Sequence, residues 1–406
     1  MQPNARRVVQ YFSYADSTDI SNGHGTHVSG ILAGKHSENQ NDDADGLATD
    51  AKIAFFDVGI GSDCCYIPSV EFIVDTAKVA GASISSASWG TSDNMYTTWV
   101  SSYDEYLYNN QDILFIAAAG NSGGDGMNTV GSPAIAKNVI AVGATDNSAI
   151  GNSALVHSDS SRGPSEDGRI KPDLVAPGFN LNAAAAGQTC GTTEKGGTSM
   201  AAPVVSGAAA IIRQYFEEGY YPSGTQNDDH SFTPSADTIK AILVNGATTL
   251  NMNTANSIIS AYDYNQGHGL IDLSSSLFVA ADSQNSDKIF IHEGNLDAEA
   301  TYMKSFILPN ECDSEEMSVT MVYTDINSAA GCTECLINDL DLSVDYVDNS
   351  TLQTITIFPN NKGDLDTKNT IESIKIMNFD QIQNKNITVK VKATNIVTEQ
   401  SFFCKF

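Results

Sequence analysis

The string Gly196-Gly197-Thr198-Ser199-Met200-Ala201-Ala202-Pro203 constrains this chain more than any other. Paired glycines admit a backbone turn and a close approach that a Cβ would block. The run Val204–Phe216, rich in Ala, Ile and Val, reads as a buried helix. Pro203 fits an early turn of it, where a missing N–H costs little. Ser199 is therefore expected at a helix N-terminus, where unpaired N–H groups and the helix dipole favour negative charge. Two readings stay open on this string alone: an acyl-transfer nucleophile, or a plain N-cap serine.

A second string, Asn22-Gly23-His24-Gly25-Thr26-His27-Val28-Ser29-Gly30, sets two histidines at the start of another helix of small residues. A histidine takes the proton of an attacking serine and later returns it. The chain order, histidine before serine, differs from the order of α/β-hydrolases, and the Ser199 string lacks the second glycine of a G-x-S-x-G elbow. A third string, Ala117-Ala118-Ala119-Gly120-Asn121-Ser122-Gly123, follows the strand-like run Ile113–Ile116 and offers a side-chain amide suited to an oxyanion.

Together these strings resemble the subtilisin-like serine proteases, the subtilases, over most of residues 6–277. Ser160-Ser161-Arg162-Gly163-Pro164, the stretch Asp167–Gly178, Ser88-Trp89-Gly90 and Asn265-Gln266-Gly267-His268-Gly269 carry the same resemblance. The last of these, with the domain after it, is similar to the subgroup that bears a C-terminal β-barrel. The resemblance implies that Ser199 is the nucleophile, His24 the general base, and Asn121 the oxyanion-hole amide, partnered by the Ser199 N–H. It further implies that Ser88, Trp89 and Gly90 form an edge that pairs with an extended peptide substrate. Ala118, Ala119 and Gly120 would then wall the primary specificity pocket.

One departure stands out. Family members carry an aspartate well upstream of the histidine, in an Asp-Ser/Thr-Gly setting. Only Asp16 and Asp19 precede His24 here, and neither has that setting. The expectation is a chain whose N-terminal part, including the aspartate strand, is missing, and whose activity is weak or absent. In subtilisin the loss of that aspartate alone costs about 3 × 10⁴ in kcat.

The rest of the chain bounds the class. A chain of 406 residues suggests two to three domains. Its 21 basic against 49 acidic residues give a net charge of −28, which argues against nucleic acid or an anionic membrane as partner. The run of strands and helices is expected to build an α/β catalytic domain over residues 1–282, with a parallel sheet flanked by helices. Strands are expected at Ala51–Val58, Ser83–Ser88, Ile113–Ala119 and Val139–Gly143. Helices are expected at Val70–Ala80, Thr97–Asn110, Val204–Phe216 and Ala236–Asn245. From 283 to 406, eight short alternating runs separated by Asn, Asp, Gly and Pro point to an all-β sandwich or jelly roll.

No membrane span and no export signal are visible in the sequence. The resemblance nevertheless implies an extracellular, secretory or lysosomal setting, and the sequons Asn349-Ser350-Thr351 and Asn386-Ile387-Thr388 agree with it. The seven cysteines, 64, 65, 190, 312, 332, 335 and 404, fit disulfides of an exported protein better than a zinc site, and adjacent Cys64 and Cys65 are expected to bond elsewhere than to each other. No cofactor is needed for the chemistry. Asn338-Asp339-Leu340-Asp341-Leu342 offers oxygens at alternate positions for a structural calcium, or else is an ordinary half-buried strand. Two functions are carried forward: a serine endopeptidase acting on polypeptides, and a non-catalytic binding protein on the same fold. A metallohydrolase is disfavoured, because His24 and His27 lack the Glu of H-E-x-x-H.

Overall fold

The computed structural model describes residues 7–19, 22–35, 43–61, 64–147, 154–250, 262–280, 289–307, 316–348, 352–360, 362–376, 382, 385–397 and 399–405. The chain opens with strand β1 (Val8–Ser13), helix α1 (His24–Ala33) and strand β2 (Ile53–Asp57); β1 and β2 pair in parallel. Helix α2 (Val70–Lys78) leads to β3 (Ile84–Ala87), and α3 (Thr98–Asn109) leads to β4 (Leu114–Ala118). Strands β5 (Ile140–Asp146) and β6 (Leu174–Phe179) complete a four-stranded parallel sheet in the order β3-β4-β5-β6.

The sequence explains these elements. Ser69 and Thr97 accept hydrogen bonds from Phe72 N–H and Val100 N–H, and so start α2 and α3. β4 and β5 are nearly unbroken apolar runs, as strands covered on both faces must be. The long helix α4 (Thr198–Glu217) lies across the sheet after the antiparallel hairpin β7 (Leu181–Ala184) and β8 (Thr192–Lys195). Its Ala201, Ala202, Val205, Ala208 and Ile212 are wholly buried and meet Ile116, Ile140 and Val142 of the sheet. Helices α5 (Ala236–Asn245) and α6 (Leu273–Ser276) close this part.

Residues from 291 onward build two four-stranded antiparallel sheets. One has the order β10 (Thr301–Ile307), β15 (Asn386–Asn395), β12 (Asp339–Val347), β13 (Thr354–Ile357). The other has the order β14 (Ile371–Ile376), β11 (Met317–Val322), β16 (Gln400–Lys405), β9 (Ile291–Leu296). Val319, Leu340, Leu342, Ile374, Val389 and Val391 fill the space between them, and their alternation with outward residues is the pattern of a sandwich. The expected fold class, an α/β sheet flanked by helices and then an all-β sandwich, is the one observed.

The two parts share a core. Val322, Ile371 and Phe403 of the sandwich pack into the cluster formed by α4 and α5. A fully buried ion pair, Lys137 to Asp325 at 2.5 Å, bridges the same boundary, and Lys137 also donates to the Cys335 carbonyl at 2.8 Å. Cys332 and Cys335 are bonded to each other. Cys64 and Cys65 also pair with each other, across a cis peptide, and not with distant partners as their adjacency led us to expect. Cys312 and the sequon at 349–351 lie outside the described residues.

Most expected α/β elements shift by one to three residues at their ends, and two differences are larger. Helix α4 starts at Thr198, not Val204, so Ser199 sits in its first turn and Pro203 sits beyond it. Strand β1 had no counterpart in the sequence reading, because Val8 and Val9 are exposed and the run carries no buried stripe.

Candidate active site

Gly197 holds φ at +138°, a conformation that side-chain-bearing residues rarely adopt, and turns the chain into α4. This places Ser199, half-buried, at the helix N-terminus. Pro203 has no N–H to give the carbonyl four residues back, which belongs to Ser199. That carbonyl accepts from the Ser88 hydroxyl instead, at 2.7 Å. In return the Ser199 hydroxyl donates to the Ser88 carbonyl at 3.2 Å. Ser88 lies just past the end of β3, so the sheet and the helix meet at the serine in a reciprocal pair.

Asn121 stands at the end of the loop after β4. Its Oδ1 accepts from the Thr198 N–H at 2.9 Å and from the Thr198 hydroxyl at 3.0 Å. An N–H can only donate, so Oδ1 must face Thr198, and the Nδ2 donor is left for the solvent side of the site. The Gly120 N–H donates to the same Thr198 hydroxyl at 3.2 Å. Thr198, wholly buried, therefore ties together the two segments that resemble an oxyanion hole. Its role was not read from the sequence; adjacency to Ser199 was the one signal for it.

His24 opens α1. Gly23 precedes it in the left-handed region at φ +67°. Three side-chain oxygens satisfy the open N–H groups of this helix: Asn22 accepts from His24 at 3.0 Å, and Asp19 accepts from Gly25 at 3.1 Å and Thr26 at 2.8 Å. Asp19 lies six and seven residues ahead of the groups it caps, too far for the usual capping spacing to reveal it. Helix α1 packs on α4, which brings the histidine and serine helices side by side. Burial pushes the His24 pKa below the ordinary imidazole value; the charge of Asp19 opposes this, and Lys195 and His27 add to it. Among the described residues no hydrogen bond joins the His24 ring to Ser199 or to a carboxylate.

His27 is buried and differently employed. Its Nε2 lies 3.2 Å from the Leu181 carbonyl and 2.9 Å from the Thr193 carbonyl, so it straps α1 to the β7–β8 hairpin. The remaining expected positions fall as follows. Trp89 is half-buried and stacks on Trp99 with ring centroids 6.4 Å apart. Gly90 is exposed, and a Cβ there would lie 2.5 Å from the Ser132 carbonyl. Ala118 and Gly120 are half-exposed beside Asn121, whereas Ala119 is buried with its N–H donated to Val142 and its carbonyl accepting from Gly131. The structure thus brings together two hydrogen-bonded sets, Ser88 with Ser199, and Gly120 and Asn121 with Thr198, on adjacent residues of α4.

The acidic stretch of the sandwich is partly engaged by protein groups. Asn338 bonds Gln400 and Val397, and Asp341 accepts from Thr394. Burial and the neighbouring Asp341 push the Asp339 pKa up to about 7. Among the described residues no group of three or more His, Cys, Asp or Glu is arranged to hold a metal ion. No helix among them is long and apolar enough to cross a membrane.

Several known proteins are similar to this chain. The model of the Subtilase family matches residues 4–269. The chain is 28% identical to the Serine protease/ABC transporter B family protein tagD of Dictyostelium discoideum, over 84% of this chain and 26% of that protein. It is 33% identical to Subtilisin-like protease 1 of Pseudogymnoascus destructans, over 50% of this chain and 45% of that protein. The solved structure of Sphericase superposes with a TM-score of 0.50 at 27% identity, over 65% of this chain and 85% of that one. The chain spans about a quarter of the length of the Dictyostelium relatives.

The match corrects one expectation. We expected the N-terminal part of the catalytic domain, with its aspartate strand, to be missing. The family match begins at residue 4, and residues 8–13 form a strand ahead of the histidine helix, so the N-terminal catalytic region is present. The expectation rested on an absent Asp-Ser/Thr-Gly string, the short stretch before His24 and the absence of a visible export signal, whereas a domain is carried by the whole succession of its elements.

Proposed function

The chain belongs to the subtilase family, and on that premise we propose that it is a serine endopeptidase that hydrolyses peptide bonds through an acyl-enzyme. Ser199 attacks the scissile carbonyl. His24, kept neutral near pH 7 by its lowered pKa, takes the serine proton and then delivers it to the leaving amine. The Asn121 Nδ2 and the Ser199 N–H hold the oxyanion, the latter at a helix N-terminus that favours the charge. The extended substrate lies along Ser88, Trp89 and Gly90, with its primary side chain toward Ala118 and Gly120.

The observation that carries this reading is the pair of bonded sets, Ser88 with Ser199 and Asn121 with Thr198, at the first turn of α4. It fixes a nucleophile and an oxyanion donor against one another before any substrate arrives. A fluorophosphonate probe tests it. Labelling of the chain that vanishes in Ser199→Ala supports the endopeptidase; a folded chain that takes no label supports the binding protein. The chemistry calls on no cofactor. Structural calcium is a separate part of the proposal: the Oδ1 atoms of Asp339 and Asp341 are buried without a partner, and a rise in melting temperature on adding calcium chloride would support it. A secretory setting is proposed with it, since Asn386 is exposed at the start of β15, and a glycosidase-sensitive mass shift reports its modification.

A further inference from the structure

The loop between β11 and β12 leaves the sandwich and lands on the α/β part. At its root the Asp325 N–H donates to the Asn138 side-chain oxygen at 3.0 Å, and the Asn138 amide donates to the Asp325 carbonyl at 2.8 Å. Further along, the Ser328 carbonyl accepts from the Ser101 hydroxyl at 2.7 Å, and the Ser328 N–H donates to the Tyr96 hydroxyl at 3.1 Å. The Gly331 N–H donates to the Tyr96 carbonyl at 2.8 Å. The loop thus grips both sides of Thr97, the residue that caps α3. At its tip Cys332 and Cys335 are bonded to each other.

The two ends of this bridge have different surroundings. Cys335 is 1% exposed and belongs to the buried cluster that holds Tyr96, Tyr103 and Phe115. Its carbonyl accepts from the Lys137 ammonium and from the Ser328 hydroxyl, both at 2.8 Å, so its backbone is anchored. Cys332 is half-exposed, between exposed Gly331 and exposed Thr333. A bridge between residues three apart constrains the unfolded chain less than one across a long loop, so its main effect is local. What it holds locally is the path from anchored Cys335 back to Gly331 and its bond to Tyr96. Above that bond stands the tryptophan pair. Trp99 lies in the first turn of α3, edge-on to Tyr103 at 5.5 Å, and it stacks on Trp89. Trp89 directly follows Ser88, whose carbonyl accepts from the Ser199 hydroxyl. Cys332, Trp89 and Trp99 all pack against the cluster that contains Cys335.

We infer that Cys332–Cys335 is a thiol-exchange site that takes a small thiol or dithiol, and that the state of its bond sets the seating of Trp99 and Trp89. The thiolate of the ligand attacks the Cys332 sulfur, the side open to solvent. A new S–S bond forms there, the bond to Cys335 breaks, and the Cys335 sulfur leaves with the electron pair and takes a proton. A second thiol group then attacks the mixed disulfide and releases Cys332 as a thiol. Two electrons and two protons have passed to the protein, and the ligand leaves as its own disulfide. Once the bridge is open, residues 331 and 332 are no longer tied to anchored Cys335. The Gly331 bond to Tyr96 weakens, and the start of α3 loosens beneath Trp89. The inference does not depend on the peptidase reading, because every readout is taken without turnover.

The test treats the folded full chain with dithiothreitol and then iodoacetamide, and maps the labelled residues by mass. The bridge opens well below the melting temperature, and Cys332 takes label about tenfold faster than buried Cys335. Hydrogen exchange at the Ser328 and Gly331 amides quickens by about tenfold or more. Tryptophan emission moves to longer wavelength, and Trp89 and Trp99 are the two tryptophans of the chain. A Cys64→Ser/Cys65→Ser variant responds in the same way, which removes the other bridge as the source. A Cys332→Ser/Cys335→Ser variant shows the fast exchange from the start and does not respond to dithiothreitol. Labelling and exchange of the unmutated chain decide the matter whether or not that variant folds. A bridge that opens only as the chain unfolds overturns the inference. So does an opened bridge that leaves the emission and both amide rates unchanged, or a response that survives in a folded Cys332→Ser/Cys335→Ser variant.

Discussion

The serine side and the histidine side of the site are built to different standards. Ser199, Ser88 and Asn121 rest on a sheet and a helix whose contacting residues are wholly buried. Their polar groups are closed on one another. His24 rests on α1, beside a two-stranded sheet whose residues are half-buried and which a cavity separates from the rest. Ser199 and Asn121 are thus fixed by a core, while His24 is held by a cap and a strap. The lesson is that the Ser199 helix is anchored in the core, whereas the His24 helix rests on side-chain caps and one strap.

The largest expected difference lies in the packing. Phe115, wholly buried in β4 and edge-on to Tyr103, should cost about 3–5 kcal/mol as Phe115→Ala in a denaturant melt. Phe55 in β2, half-buried and stacked on Tyr11, should cost about 1–2 kcal/mol as Phe55→Ala. Equal losses would break the comparison. Next, Asn121→Ala should lower kcat by about 10²–10³ with little change in KM, since its donor acts on the transition state. A purely KM effect would make Asn121 a substrate contact.

A third effect concerns acid. His268 is buried, and burial drives its pKa down to about 4, with Asp173 and Asp366 opposing and Lys375 and Lys171 reinforcing. A group lowered in the fold stabilises it above the unfolded value and loses that contribution as pH falls toward the folded one. Stability on the serine side should therefore fall from about pH 6.5 toward pH 4, by about 3 kcal/mol in the limit. His268→Phe should flatten that stretch of the melting-temperature curve; an unchanged slope would place the acid sensitivity elsewhere. The smallest effect sharpens the histidine side. Asp19→Asn keeps one of the two capping oxygens and loses the other, so stability should fall by about 1 kcal/mol. It removes the charge that raises the His24 pKa, so the acid limb of kcat/KM should move to lower pH. A limb that moves upward would remove Asp19 from the account.

Much of this was legible in the sequence, and the reasons are local. Ala236–Asn245 was read with its observed bounds because its apolar pattern ends at clear breaks. Ser199 and Asn121 were legible because glycines must flank a tight approach. The start of α4 was not, because Pro203 taken as an early-turn residue moves the expected apolar helix forward to Val204. The true place of Pro203, one turn further in, is permitted by Ser88, which lies 111 residues away and meets the carbonyl that proline leaves open. Asp19 and Thr198 escaped for the same reason: their partners are set by folding, not by spacing. The missing-strand expectation failed because an absent string, a short leading stretch and an absent export signal were asked to stand for a domain.

One bond described above reaches further than its length. Since His27 grips the carbonyls of both Leu181 and Thr193, the first turn of α1 and the 181–195 hairpin form a single lever. A displacement of that hairpin is thereby passed to the helix whose first residue is His24, three positions away.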